Sequence, residues 1–302
     1  MKKLLRVVGA LLVLGAPAYW WLFVESHEPT GTFALELAEL RRLASSLPGE
    51  KPLALHVEHV ASFEFPSVAV MAGAGWSNTT LPVFSYQLVF PGRTLLIDTA
   101  MDEATAQGQH ATFYDSAAWA RLDAAMGTAE RIVVTHEHFD HLGGVSTHPK
   151  AALLAGKLEL TRAQLQDPSK QDPLRFPEAA RAKLPPLADQ PARALAPGVV
   201  SWSAPGHTPG SQLVFIQQAD GEEFLLLGDV AWHRSNWEQV HERARLLTWF
   251  FLGEDREAVL RQLAAIKALS AQAPGLHVVP GHDGEVMTSL ISHGFVHAQF
   301  RD

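Results

Sequence analysis

Apolar and polar positions along this chain change their spacing from stretch to stretch, and each change predicts an element. Val7–Val24 is uncharged and mostly apolar. Phe33–Leu47 carries apolar residues near helical spacing and predicts a short helix that Pro48-Gly49 ends. From about Pro52 the texture turns to short apolar runs bounded by Gly, Pro and Asp. Leu81–Phe90 and Thr94–Ile97 read as two strands turning at Pro91-Gly92. Asp115–Met126 predicts a helix capped by Asp115 or Ser116, with Trp119, Leu122 and Met126 on one face. Asp255–Ala271 predicts a second amphipathic helix with Val259, Leu263 and Ile266 inward. Gln166–Gly198 holds seven prolines and few apolar runs, and is expected to be an insert or lid outside the core. Its Leu174, Phe176, Leu184 and Leu187 would line an acyl pocket.

Four further runs each end in a loop that carries a potential metal ligand. Ile132–Val134 leads into THEHFDHLGG with His136, His138, Asp140 and His141. Val199–Trp202 leads to SAPGHTPGS with His207. Phe224–Leu227 leads to GDVAW with Asp229, and Leu276–Val279 to PGHDGE with His282. Loops at strand ends are where a rigid scaffold places chemistry. The remaining histidines are read as solvated or satisfied by a neighbour.

Composition narrows the chemistry. Of 302 residues, 47% are hydrophobic and the formal net charge is -8. The chain is long enough for a sizeable core, and without a basic face it is no nucleic-acid binder. There is no cysteine, which excludes disulfides, thiolate ligands and a cysteine nucleophile. Any metal is therefore held by His, Asp or Glu. Seven candidate ligands exceed the roughly three that a catalytic zinc takes and suit two ions sharing one carboxylate. His136 and His138 alternate and can point to one side of an extended segment, whereas Asp140 and His141 break the alternation and can reach a second centre.

Lys2, Lys3 and Arg6 precede the apolar run and Glu25 and Glu28 follow it. One reading is a membrane anchor over residues 1–24, with Trp20 and Trp21 in an interfacial belt and the catalytic domain periplasmic or otherwise extracytoplasmic. The other is a signal peptide cleaved after Ala18, within Ala16-Pro17-Ala18, which gives a secreted protein. The expected organisation is this segment, a linker with a short helix over 25–51, and a catalytic domain over 52–302 with the Pro-rich insert 166–198.

Taken together, HEHFDH, APGHTPGS, LLLGDVAW and VVPGHD resemble the metallo-β-lactamase superfamily over roughly Leu53–Met287. The resemblance implies an α/β fold, an αββα sandwich of two mixed β-sheets flanked by helices. It implies two Zn(2+) per chain, with iron or manganese as alternatives. His136, His138 and His207 would hold one ion, Asp140, His141 and His282 the other, and Asp229 would bridge. Asp98, in LLIDTAM, would support a ligand from behind. Within the superfamily the pattern is most similar to N-acyl homoserine lactonases. Those carry a tyrosine three residues after the bridging aspartate; Trp232 stands here and lacks the phenolic hydroxyl, leaving His233 as a candidate polar group. The expected activity is hydrolysis of an ester-like bond in a small-molecule substrate, a lactone favoured. A bridging hydroxide would attack the carbonyl, with Asp140 as general acid. A glyoxalase II-like thioesterase, a phosphodiesterase and a membrane-anchored binding protein stabilised by metal are the alternatives.

Overall fold

The computed structural model describes residues 15–166, 176–184 and 190–301. Among these, the strands form two mixed sheets. The first is built from β1 (Ala54–Pro66), β2 (Asn78–Phe90), β3 (Arg93–Ile97), β4 (Phe113–Tyr114), β5 (Arg131–Val133), β6 (Leu158–Glu159) and β12 (His297–Ala298). Its order is β12-β1-β2-β3-β5-β6, with β4 paired to β1. β1, β2 and β3 run antiparallel to their neighbours in that order, while β3, β5 and β6 are parallel. The second sheet holds β7 (Ala192–Ala196), β8 (Val199–Ser203), β9 (Gln212–Gln217), β10 (Glu223–Leu226) and β11 (Leu276–Val279), in the order β11-β10-β9-β8-β7.

Why the runs feeding the site are continuously apolar is now clear. Residues 213–216 and 224–227 are buried on both faces of their sheet. Val214, Ile216, Phe224 and Leu226 point between the sheets, against Leu88, Ile97 and Val133. Leu213, Phe215, Leu225 and Leu227 point outward, against Val259, Leu263 and Ile266 of the helix Arg256–Gln272. A strand covered on both sides has no polar face to alternate with. The outer face of the first sheet is covered by the helix Ser116–Thr128 through Ala118, Leu122 and Met126. The result is four layers, helix–sheet–sheet–helix, as the resemblance implied.

Helix ends follow the expected capping chemistry. Asp115 Oδ1 accepts from the Ala117 and Ala118 amides, and Asp255 Oδ1 from the Ala258 amide, satisfying first-turn donors. The expected helix over Phe33–Leu47 is shorter, Leu37–Ala44.

Two expected boundaries change. Residues 25–51, read as a linker, pack as part of the domain: Leu35, Leu40 and Ala44 are buried with Trp202 and Phe215. Arg41 makes a two-pronged ion pair with Glu223, and the Trp202 indole donates to the Ala34 carbonyl. The insert 166–198 also contributes to the core. β7 is an edge strand of the second sheet, and Phe176 and Ala180 are buried against the first sheet's outer cluster, with Leu184 beside them. Neither Phe176 nor Leu184 therefore lines an acyl pocket. Leu174 and Leu187 lie outside the described residues.

Residues 1–14 also lie outside the described residues, so the anchor and signal-peptide readings rest largely beyond them. Residues 15–23 are helical. No helix among the described residues is long and apolar enough to cross a membrane.

Candidate metal centre

The four ligand-bearing loops converge at one edge of the sandwich, between the sheets. β5 supplies the first, and its backbone changes character part way. His138 is extended and is the N-cap of the helix Phe139–Ser146. Asp140 and His141 therefore lie in a helical first turn and turn to a different point. That helix sits close against the end of β3. A Cβ on Gly144 would lie 1.9 Å from the Thr99 carbonyl oxygen, so only glycine permits the approach. The Thr99 amide and hydroxyl both donate to the His141 carbonyl, at 2.7 and 2.9 Å. β8, β10 and β11 bring His207, Asp229 and His282 from the second sheet.

Seven side chains form two clusters of four that share Asp229. In the first, donor atoms of His136, His138, His207 and Asp229 lie within 4.8 Å of one another; in the second, those of Asp140, His141, Asp229 and His282 do. Closer distances test whether ions fit. His138 Nδ1 is 3.1 Å from His136 Nε2 and 3.0 Å from His207 Nε2, and those two nitrogens are 3.5 and 3.3 Å from Asp229 Oδ2. Asp229 Oδ1 is 3.2 Å from His141 Nε2 and 3.0 Å from His282 Nε2. Asp140 Oδ2 is 3.7 and 3.5 Å from the same two nitrogens. Tetrahedral zinc with ligands at about 2.0–2.1 Å has edges of roughly 3.3 Å, so both clusters have the right size. Among the described residues, buried His141 Nε2 and Asp229 Oδ1 also find no hydrogen-bond partner, an expense that a bound cation removes. The donor set fits two ions.

Each imidazole is aimed by its other nitrogen or by packing. Asp98 accepts from the Thr135 amide and hydroxyl at 2.6 and 2.8 Å, and its Oδ2 lies 2.8 Å from His141 Nδ1. Its backbone is left-handed, φ 61°, a conformation that costs energy in a non-glycine residue and is held here by those bonds. His282 Nδ1 lies 2.8 Å from the Pro82 carbonyl, and His207 Nδ1 2.8 Å from Glu254 Oε2. Trp232 Nε1 donates to Asp229 Oδ2 at 2.7 Å. The tryptophan thus offers its own hydrogen bond, directed at the shared carboxylate. His233 faces elsewhere. It caps the helix Arg234–Gln239 and its Nε2 is 3.4 Å from Asp283, so the structure does not bring it into the clusters.

Burial pushes the His136 and His138 imidazoles well below their usual range, which keeps them neutral and able to donate lone pairs. Burial alone would raise the Asp229 carboxyl, but His282, His136 and His141 outweigh it and hold it well below. Burial would lower His141, His207 and His282, but the interaction with Asp229 outweighs it and they are instead raised.

Three residues escaped the sequence reading. Glu254 is buried and accepts from Arg243 Nη1 at 2.7 Å, and the Arg243 guanidinium lies 4.4 Å from the Trp232 ring centroid. Glu137, inside HEHFDH itself, accepts from Thr208 Oγ1 and the Gly210 amide and ties the β5 loop to the β8 loop. A glutamate between two ligands, in a run otherwise heading for the interior, was a signal. Arg243 and Glu254 gave none.

A cleft of about 280 Å³ opens over the clusters. His138, Asp140, Asp229 and His282 form its floor, and Phe63, Phe65, Leu81, Phe139, Leu247 and Phe251 line its walls. Among the described residues no lysine or arginine lines it. Arg162 lines another groove, Arg181 donates to the Phe176 carbonyl, and Arg175 lies outside the described residues.

Comparison with known proteins agrees with this geometry. The sequence profile of the Metallo-beta-lactamase superfamily matches residues 78–282. An N-acyl homoserine lactonase of a Bacillus species is 25% identical over 221 residues, covering 68% of this chain and 82% of the relative. The crystal structure of a quorum-quenching N-acyl homoserine lactone lactonase superposes with a TM-score of 0.63 at 20% identity, over 80% of this chain and 97% of that one. An N-acyl homoserine lactone hydrolase, with the product N-hexanoyl-L-homoserine bound at its catalytic metal center, superposes at 0.62 and 20% identity, over 79% and 96%.

Proposed function

The chain belongs to the metallo-beta-lactamase superfamily, and on that premise we propose that it is a dizinc hydrolase of ester-like bonds, with a lactone as the favoured small-molecule substrate. The observation that carries the reading is the pair of four-donor clusters sharing Asp229 beneath an apolar cleft. When bound, two zinc ions would supply Lewis acidity toward a carbonyl oxygen and activate water as a nucleophile near neutral pH. His136, His138 and His207 would hold one ion, Asp140, His141 and His282 the other, and Asp229 both.

The chain's own groups do the rest. Phe63, Phe65 and Phe139 exclude water from one side of the acyl group and leave the polar end of a substrate facing Asp140 and His138. Asp140 Oδ is the group on the cleft floor able to hold a proton for a departing alkoxide. Asp98 and Glu254 keep His141 and His207 in one tautomer and orientation. Among the described residues the cleft walls carry no lysine or arginine, so a phosphodiester would find no cationic contact beyond the metal ions themselves, and the apolar walls favour a neutral ester. The product-bound lactone hydrolase supports the same choice.

The test is a screen of zinc-loaded protein against N-acyl lactones, thioesters, phosphodiesters and β-lactams, with metal content measured on the same sample. Two zinc ions per chain with turnover fastest on lactones is the expected result. A stoichiometry of one, or faster turnover of thioesters or phosphodiesters, would overturn it.

A further inference from the structure

Trp20, Trp21, Trp76, Trp249, Phe250 and Phe251 are between 40% and 65% exposed, and they are not scattered. Trp21 packs edge-on to Trp249 at 5.0 Å, and Phe23 against Trp76 at 5.2 Å. The Trp76 indole donates to the Tyr19 hydroxyl at 2.9 Å. Trp249, Phe250 and Phe251 share the single-turn π-helix Thr248–Leu252, and Phe251 and Leu252 line the cleft over the metal clusters. The helical residues 15–23 and the rim of the cleft thus form one aromatic surface.

Contiguous exposed apolar area of this kind marks an interaction site. Its composition, tryptophan with tyrosine and phenylalanine, is that of a surface at lipid headgroup level, where rings with an apolar body and one polar atom are favoured. Its charge is internally balanced. The Arg245 guanidinium lies over Trp21 and Trp249, at 4.8 and 5.3 Å from the ring centroids, and pairs with Glu25. The surface therefore asks neither an anionic nor a cationic partner. What identifies the occupant is the chain that enters it. Residues 15–23 are preceded by the apolar Val7–Leu14, with Lys2, Lys3 and Arg6 before those. A stretch of that composition suits an apolar medium, and in sequence it directly precedes the aromatic surface.

We propose that the aromatic surface formed by residues 19–23, Trp76 and residues 249–251 seats the domain on a phospholipid bilayer, with the mouth of the cleft at headgroup level. The surface lies on the interface rather than crossing it. Lipophilic substrate then enters from the lipid side, a consequence that rests on the hydrolase reading, whereas the docking does not.

The absence of cysteine makes the test clean. Full-length Phe250→Cys carries an environment-sensitive dye on its thiol. The control, Leu53→Cys, sits at an exposed apolar position at the far end of β1 from Phe65, on the order of 40 Å away. Both are mixed with phosphatidylcholine vesicles, with and without brominated acyl chains. We expect the dye at 250 to brighten about two-fold or more, to be quenched by bromine and to be insensitive to salt, with the dye at 53 unchanged. Three results would overturn the proposal: vesicles that do not bind the chain; vesicles that bind it while the dye at 250 still reports water, which assigns binding to residues 1–14 alone; or brightening with protein concentration in the absence of lipid, which assigns the surface to a second copy. No turnover is measured, so failure of the hydrolase reading would leave this outcome untouched.

Discussion

The Trp232 indole N–H stands 2.7 Å from the carboxylate oxygen that faces the three-histidine cluster. A donor there fixes the rotation of Asp229, so that one oxygen addresses each cluster, and takes up part of its negative charge. Trp232→Phe keeps the ring between Phe65 and the Arg243 guanidinium and removes only the N–H. Metal affinity and turnover should both fall about 10- to 100-fold, as for other hydrogen bonds to metal ligands. Competition with a chromophoric chelator reads the affinity. Unchanged affinity in a folded variant would mean that the bond is incidental. The seven candidate ligands were legible because each follows an apolar run, and three of them, His207, Asp229 and His282, directly follow a glycine. Arg243 and Glu254 were not. They lie among other charged residues in HERAR and GEDRE, and nothing local says which of these is buried. That is decided by Trp232 and His207, both distant in sequence.

At the scale of elements, the loop after β11 works because it is thin. A Cβ on Gly281 would lie 2.6 Å from Asp229 Oδ1 and 2.8 Å from the Gly228 carbonyl. On the proposed dizinc reading, Gly281→Ala should push the shared carboxylate out of line and cut bound zinc from two ions to one or fewer. Elemental analysis checks it, and full occupancy with parental turnover would contradict it. The helix Arg256–Gln272 has a second duty beyond covering the sheet. Hydrogen bonds from Thr30, then from His27, hold the Glu257 carboxyl down to about 2, against 4.5 unperturbed. A depressed carboxylate contributes stability above its unfolded value and loses it as pH falls toward the folded one. Glu257→Gln should therefore lower Tm at neutral pH, with the gap to parent narrowing between about pH 4.5 and 2. A constant gap over that range would show the carboxylate does not matter. Helix caps and strand runs were readable from local chemistry. The edge strand Ala192–Ala196 was masked by flanking prolines, which suit an edge as well as a loop.

At the scale of the molecule, the amino-terminal segment belongs to the fold. Leu40 is fully buried against the second sheet. Leu40→Ala should cost about 2–5 kcal/mol, the range for emptying a core leucine site, measured by urea unfolding of the whole domain. A loss below about 1 kcal/mol would return residues 25–51 to the status of a tether. Their helix was expected from spacing, but its docking was not, since an amphipathic face does not name the surface that covers it.

Each cluster draws two side chains from the loop after β5, in the first sheet, while Asp229 and either His207 or His282 come from the second. An ion held at either cluster would therefore rivet the two leaves of the sandwich together. A ligand that binds only the folded state adds about 2.7 kcal/mol at a hundred times its dissociation constant, a large share of a domain's marginal stability. Chelation should then hasten proteolysis as well as silence turnover. The lifetime of the protein in a cell would follow the supply of zinc, making its abundance a record of metal nutrition.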